Sequence, residues 1–166
     1  MKTQTFSILA ENTTNVLSHI SGLFSRRGYN IDSISAGVTA DPRFTRITIV
    51  SHGEPSTLEQ IEKQLAKLED VVDVKMLVDG LSVCRELILV KIRATAADRA
   101  EILSTANIFR GKIVDVTNDS VVVELTGGQS KLDAFLNLVS GYEILELGRT
   151  GITGLRRGSD DIMVFD

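Results

Sequence analysis

Glu11, Asn12, Thr13, Thr14 and Asn15 stand in a row immediately ahead of a segment with helical apolar spacing. Carboxamides and hydroxyls grouped in this way bind small zwitterions. The helix they open adds a second attraction, because its first backbone N–H groups have no intrahelical acceptor and carry the positive end of the helix dipole. A carboxylate is the natural guest there. Residues 12–15 are also all favoured helix caps, so any one of them alone is explained by capping. The row as a unit points to a small-molecule sensor.

The remainder of the chain offers little reactive chemistry. His19 falls inside the helical segment and His52 at the end of a strand-like one, with no further ligand at metal spacing. Cys84 is the one cysteine, so neither a structural zinc site nor an intrachain disulfide is expected. No nucleophile elbow, P-loop or dinucleotide fingerprint is present: Gly151, Gly154 and Gly158 have the wrong spacing and follow the last strand, and Gly127 with Gly128 reads as a turn. Glu11 has no base partner. The chain is therefore expected to hold no catalytic residue, metal or cofactor of its own.

The formal net charge of −4 argues against binding to a nucleic-acid backbone, which needs clustered cations. No apolar run is long enough to cross a bilayer, and Lys2 followed by an alternating segment and Glu11 does not read as a signal peptide. With a single cysteine, a reducing compartment is expected: the cytoplasm, or an organelle stroma after loss of a transit peptide.

The elements that must position the polar row follow from periodicity. With 43% hydrophobic residues the chain can pack a core, and 166 residues allow one domain or two small ones. Residues 4–11 alternate as a strand. Val16, Ile20, Leu23, Phe24 and Arg27 keep helical spacing, with Leu17 widening the stripe, and Gly28 suits the position just past the helix. Residues 30–38 and 44–51 read as strands joined by a turn over 39–43. Ser56 and Glu59 stand at capping-box spacing after Pro55, Leu58, Ile61, Leu65 and Leu68 mark a second helix, and residues 71–78 close the unit as a strand.

The plan then repeats. A strand over 86–93 is followed by Thr95 and Asp98 at capping spacing and a helix to about Phe109, stopped by Gly111. Strands over 112–117 and 120–126 turn at Asn118 and Asp119. Ser130 and Asp133 cap a helix bearing Leu132, Phe135, Leu136 and Val139, Gly141 stops it, and residues 142–148 form the last strand. The stretch Arg27-Gly28-Tyr29-Asn30-Ile31-Asp32 echoes Arg110-Gly111-Lys112-Ile113-Val114-Asp115. The fold class is α+β, two ferredoxin-like βαββαβ sandwiches over 1–79 and 80–166, with a tail from about 150 that lacks periodicity and is expected to be flexible. Each sheet is expected to carry helices on one face only. Strands such as 72–76 and 121–123 look too apolar to leave the other face bare, which predicts pairing as a homodimer.

The segments Leu9-Ala10-Glu11-Asn12-Thr13-Thr14-Asn15-Val16-Leu17 and Leu23-Phe24-Ser25-Arg26-Arg27-Gly28-Tyr29-Asn30-Ile31 resemble the ACT domain, an amino-acid-sensing module, and in particular that of the small regulatory subunit of acetolactate synthase (acetohydroxyacid synthase). The resemblance continues through residues 59–65, 85–92, 109–115 and 149–158, and so covers nearly the whole chain. It implies an N-terminal ACT domain that pairs with a second copy, and a catalytic large subunit as partner. It places thiamine diphosphate, magnesium and FAD on that large subunit only. It implies that this chain activates the enzyme in branched-chain amino-acid synthesis and mediates feedback by an amino acid, valine above all.

For the site, the resemblance implies that backbone N–H groups near Asn15, Val16 and Leu17 hold the effector carboxylate. The Asn12 side chain and Asn30 of a second copy add polar contacts, and Ile31 meets the aliphatic side chain. The family usually has glycine where this chain has Asn15, whose side chain takes up ligand space, so the expectation is weak valine binding, none, or another effector. Two rival readings stand beside it: a free-standing ACT-type sensor serving another enzyme, and an RNA-recognition motif with the same element order. The latter needs stacking aromatics on its third strand, where this chain has Phe44 alone at the edge.

Overall fold

The computed structural model describes residues 1–160 and Ile162. The chain divides into two units, Met1–Val83 with Ile152–Asp166, and Cys84–Gly151. Each is a βαββαβ sandwich. In the first unit the elements run β1 (Lys2–Glu11), α1 (Val16–Arg27), β2 (Ser33–Val38), β3 (Phe44–Gly53), α2 (Pro55–Ala66) and β4 (Val71–Leu77). The antiparallel sheet has the order β2-β3-β1-β4. In the second unit β5 (Ser82–Arg93), α3 (Arg99–Ile108), β6 (Lys112–Val116), β7 (Ser120–Gly127), α4 (Gln129–Leu138) and β8 (Ile144–Arg149) give the equivalent order β6-β7-β5-β8.

Strand alternation decides which side chains reach the helices. Phe6, Ile8 and Ala10 of β1 and Ile47 and Ile49 of β3 meet Val16, Ile20, Leu23 and Phe24 of α1 and Leu58, Ile61 and Leu65 of α2. The second core repeats this with Ile88, Val90, Ile92, Val121, Val123 and Leu125 under Ile102, Ala106, Leu132 and Phe135. Each core carries an edge-to-face pair: Phe24 of α1 with Tyr29 in the turn after it at 5.7 Å, and Phe109 at the end of α3 with Phe135 of α4 at 5.6 Å.

The helix-free faces are less apolar than the run of valines suggests. In residues 71–77 it is Val71, Val74 and Met76 that pack on the helical core. Asp73, Lys75 and Leu77 line a groove on the opposite face instead. Val121 and Val123 are likewise spent on the helical side. The first unit's helix-free face is also not bare. The tail expected to lack structure forms a further strand, β9 (Thr153–Arg156), whose Leu155 lines the groove there. Next to it the Arg157 N–H donates to the Leu81 carbonyl at 2.9 Å.

Three helix boundaries depart from expectation. Pro55 takes the first turn of α2, where its missing N–H costs nothing, so Glu54 is the N-cap and Ser56 does not cap. Gly128 rather than Ser130 precedes α4, and Asp133 instead receives the Gln129 amide at 2.9 Å. The turn after α3 places its left-handed residue at Arg110 (φ 58), not at Gly111. The Gly111 N–H closes back onto the Ala106 carbonyl at 2.7 Å, as the Tyr29 N–H does onto Phe24 after the left-handed Gly28. Gly28 and Arg110 are thus equivalent, and the sequence echo is one residue out of step. Gly111 is needed for room: a Cβ there would lie 3.2 Å from the Ala106 carbonyl oxygen and 3.3 Å from that of Glu124.

Candidate effector site

The polar row spans the bend between β1 and α1. Asn12 is fixed at both ends of the residue. Its backbone N–H donates to the Arg43 carbonyl at 2.8 Å and its side-chain amide donates to the Pro42 carbonyl at 3.1 Å. The turn it grips is itself braced, because Arg43 donates to the Asp41 carboxylate from Nη2 at 2.6 Å and lies 5.3 Å from the centre of the Phe44 ring. This pairing holds the Asp41 carboxyl below its ordinary range, chiefly through the side-chain hydrogen bond, and raises Arg43 correspondingly.

Thr13, Thr14 and Asn15 are exposed. Asn15 is the N-cap of α1, with φ −104 and ψ −3, and its side chain makes no capping hydrogen bond. The backbone therefore requires no left-handed residue here. A glycine at this position would bring space, not conformational freedom. No acidic residue occupies the first turn of α1, so the N–H groups at its start face no competing carboxylate from that turn. Val16 is buried beneath them, while Leu17 is 46% exposed beside them. His19 pairs with Asp70, joining the first turns of α1 to the connection ahead of β4. Neither His19 nor Asp41 was singled out for this site from the sequence, where nothing local links His19 to Asp70.

Asn30 and Ile31 lie elsewhere. The pairing of Glu11 with Phe44 and of Lys2 with Gly53 puts the Asn12 end and the His52 end of β3 at opposite edges, roughly 30 Å apart at strand rise. Asn30 belongs to the far end, where its carbonyl accepts from Ser51 Oγ at 2.6 Å and its amide meets His52. One chain thus brings together Asn12, Asn15, Val16 and Leu17, but not Asn30 and Ile31.

A groove of about 620 Å³ opens on the helix-free face of the same unit, lined by Ser7, Leu9, Arg46, Asp73, Lys75 and Leu155 among others. Burial pulls the Arg46 guanidinium below its ordinary value, and nearby Asp73 pushes it back up; Arg46 donates to Ser7 Oγ at 3.0 Å. None of the six residues read from the sequence lines this groove. Among the described residues no cluster of three or more potential metal ligands occurs, and no helix is long and apolar enough to cross a membrane.

A βαββαβ sandwich with an open, amide-rich helix start is the architecture of the ACT class, and the model for the acetohydroxyacid synthase small-subunit-like ACT domain matches residues 6–73. The model for the small subunit of acetolactate synthase matches residues 85–158. The isozyme 3 small subunit of acetolactate synthase from Salmonella typhimurium is 49% identical over 95% of this chain and 96% of its own. The small subunit from Mycolicibacterium smegmatis is 44% identical over 94% and 92%. The crystal structure of the small subunit from Thermotoga maritima superposes with a TM-score of 0.87 at 38% identity, over 96% of this chain and 99% of that one. The chain belongs to the acetolactate synthase small-subunit family.

Proposed function

We propose that this chain is the non-catalytic regulatory subunit that activates a thiamine-diphosphate-dependent large subunit in branched-chain amino-acid synthesis, and that the start of α1 receives an amino-acid effector, valine being the first candidate. The single observation that supports the effector role is the unfilled α1 N-terminus: no capping side chain and no first-turn acid, above a rigidly latched Asn12 and beside an exposed Leu17. These groups suit a carboxylate, an amide-bound polar group and an aliphatic side chain, in that order. Asn30 and Ile31 join such a site only from a second copy, so the reading requires a homodimer. Coupling of about 1–3 kcal/mol between effector binding and the arrangement of the dimer is enough for clear feedback. Thiamine diphosphate, magnesium and FAD belong, on this reading, to the large subunit alone, and the complex works in the cytoplasm.

The test is acetolactate formation from pyruvate by the large subunit of the same organism, with and without this chain and then with valine. Stimulation by the chain, reduced by valine, is expected. Absence of stimulation at saturating chain overturns the subunit reading, and stimulation that no branched-chain amino acid reduces overturns the effector reading.

A further inference from the structure

Asn30 sits in the bend between α1 and β2, and its side chain ends a row of three. Oδ1 and Oδ2 of Asp32 lie 2.7 and 2.9 Å from Nδ1 of His52, and Nε2 of the same ring lies 3.3 Å from Nδ2 of Asn30. An ionised carboxylate only accepts, so the proton on the ring belongs at Nδ1. In the neutral imidazole, Nε2 is then an acceptor and takes its hydrogen bond from the Asn30 amide. The backbone is pinned as well, by Ser51 Oγ donating to the Asn30 carbonyl at 2.6 Å and by the Asp32 N–H donating to Val50 at 2.8 Å. A carboxamide is planar, with its oxygen and nitrogen on opposite sides. Holding Nδ2 against His52 turns Oδ1 away from the ring.

We infer that Asp32 and His52 are positioning residues that fix the Asn30 amide with Oδ1 outward, as the acceptor for the ammonium group of an amino-acid effector. This rests on the effector reading above, in which the α1 start of one copy takes the carboxylate and Asn30 comes from the other. It adds a selectivity that the α1 start alone lacks. A 2-oxo acid of the same carbon skeleton carries the same carboxylate and side chain, but it offers Oδ1 an acceptor where the amino acid offers a donor.

The experiment combines calorimetric titration of the full chain, native and Asn15→Gly, against valine and 3-methyl-2-oxobutanoate with ¹⁵N NMR of the histidine rings and the Asn30 amide. The expected result is an Nδ1–H ring at His52 and an oxo acid that binds roughly tenfold or more weakly than valine, the worth of one charge-assisted hydrogen bond. Asp32→Asn can donate to the ring. It should move the ring proton to Nε2, turn the Asn30 amide over and lower valine affinity by a similar factor of roughly ten, with the thermal midpoint reporting intact folding. His52→Gln, whose Oε1 accepts from Asn30, should restore most of the affinity that His52→Ala loses. Normal valine binding that is indifferent to Asp32→Asn, an Nε2–H ring in the native chain, or an oxo acid that binds as well as valine overturns the inference. A chain that binds no amino acid while its His52 ring carries the expected proton overturns the effector reading, and the ammonium assignment with it.

Discussion

The two sandwiches share element order and strand order, yet the first helix of each begins with a different charge. Ahead of α1, Asn15 makes no capping bond and the first turn holds no acid. Ahead of α3, the Asp98 carboxylate takes the Thr95 N–H at 3.0 Å and the Thr95 hydroxyl at 2.9 Å, and Glu101 follows in the first turn. The Asp98 carboxyl is accordingly held below its ordinary range, first by the backbone hydrogen bond. Glu101 in turn accepts from Tyr142, whose hydroxyl is pushed up to about 12. Neither N-cap side chain bonds to its own helix, and the two starts differ in charge: Asp98 and Glu101 stand at the start of α3, whereas the first turn of α1 holds no acid. The repeat keeps the scaffold but places carboxylates where the start of α1 carries an amide.

The largest effect that sharpens this comparison concerns the scaffold. Phe6 and Phe135 are both fully buried, each in its own cluster. Phe6→Ala and Phe135→Ala should each cost about 3–5 kcal/mol. Followed residue by residue through amide NMR signals in urea, each substitution is expected to lower the transition of its own unit. Equal shifts of both transitions from either substitution would break the view of two separate cores.

Next in size is Asn15→Asp. Aspartate is an equal or better helix cap and favours the helix dipole, so a purely structural role for residue 15 predicts an unchanged or raised thermal midpoint and nothing else. An effector carboxylate at the same N–H groups predicts a loss of roughly tenfold or more in valine affinity, because the substitution gives α1 the closed, acidic start that α3 already has. Asn15→Gly is the smaller, opposite change. Since φ at Asn15 is −104, glycine relieves no backbone strain there, and any gain in valine affinity, expected to be a few-fold, comes from removed side-chain volume. Calorimetry with both variants separates the readings, and an unchanged affinity for Asn15→Gly removes the idea that Asn15 obstructs the site.

Most of the fold was legible because it is written locally. The alternation of residues 4–11, the stripe from Val16 to Phe24 and the left-handed Gly28 each needed only near neighbours to read. What failed depended on remote partners, on backbone alone, or on a neighbour that set a helix start first. β9 is a Thr-Gly-Leu-Arg segment whose pairing comes from main-chain groups, so no side-chain pattern announces it. Ser56 and Ser130 have the right spacing for caps, but Pro55 and Gly128 set the helix starts first. The latch of Asn12 onto Pro42 at one end of β3 and the row from Asp32 through His52 to Asn30 at the other join residues 30, 20 and 22 positions apart. In the sequence, His52 stands alone at a strand end, with nothing nearby to tie it to Asp32 or Asn30.

The smallest effect tests the closed start of α3. Asp98 has a folded-state pKa below its ordinary value, so the stability it lends is complete above the unfolded value, ~3.9, and is lost as pH falls through the lowered folded value. Asp98→Asn keeps an oxygen for the Thr95 N–H but has no proton to take up. At neutral pH the substituted chain should melt slightly below the native one, because a neutral cap is weaker than a charged one at a helix start. The difference should shrink on acidification and vanish once Asp98 is protonated. Melting curves of both chains from pH 7 down to acid follow this directly. A difference that stays constant with pH would mean that the Asp98 charge does not hold the α3 start, and the electrostatic contrast with α1 would then rest on Glu101 alone.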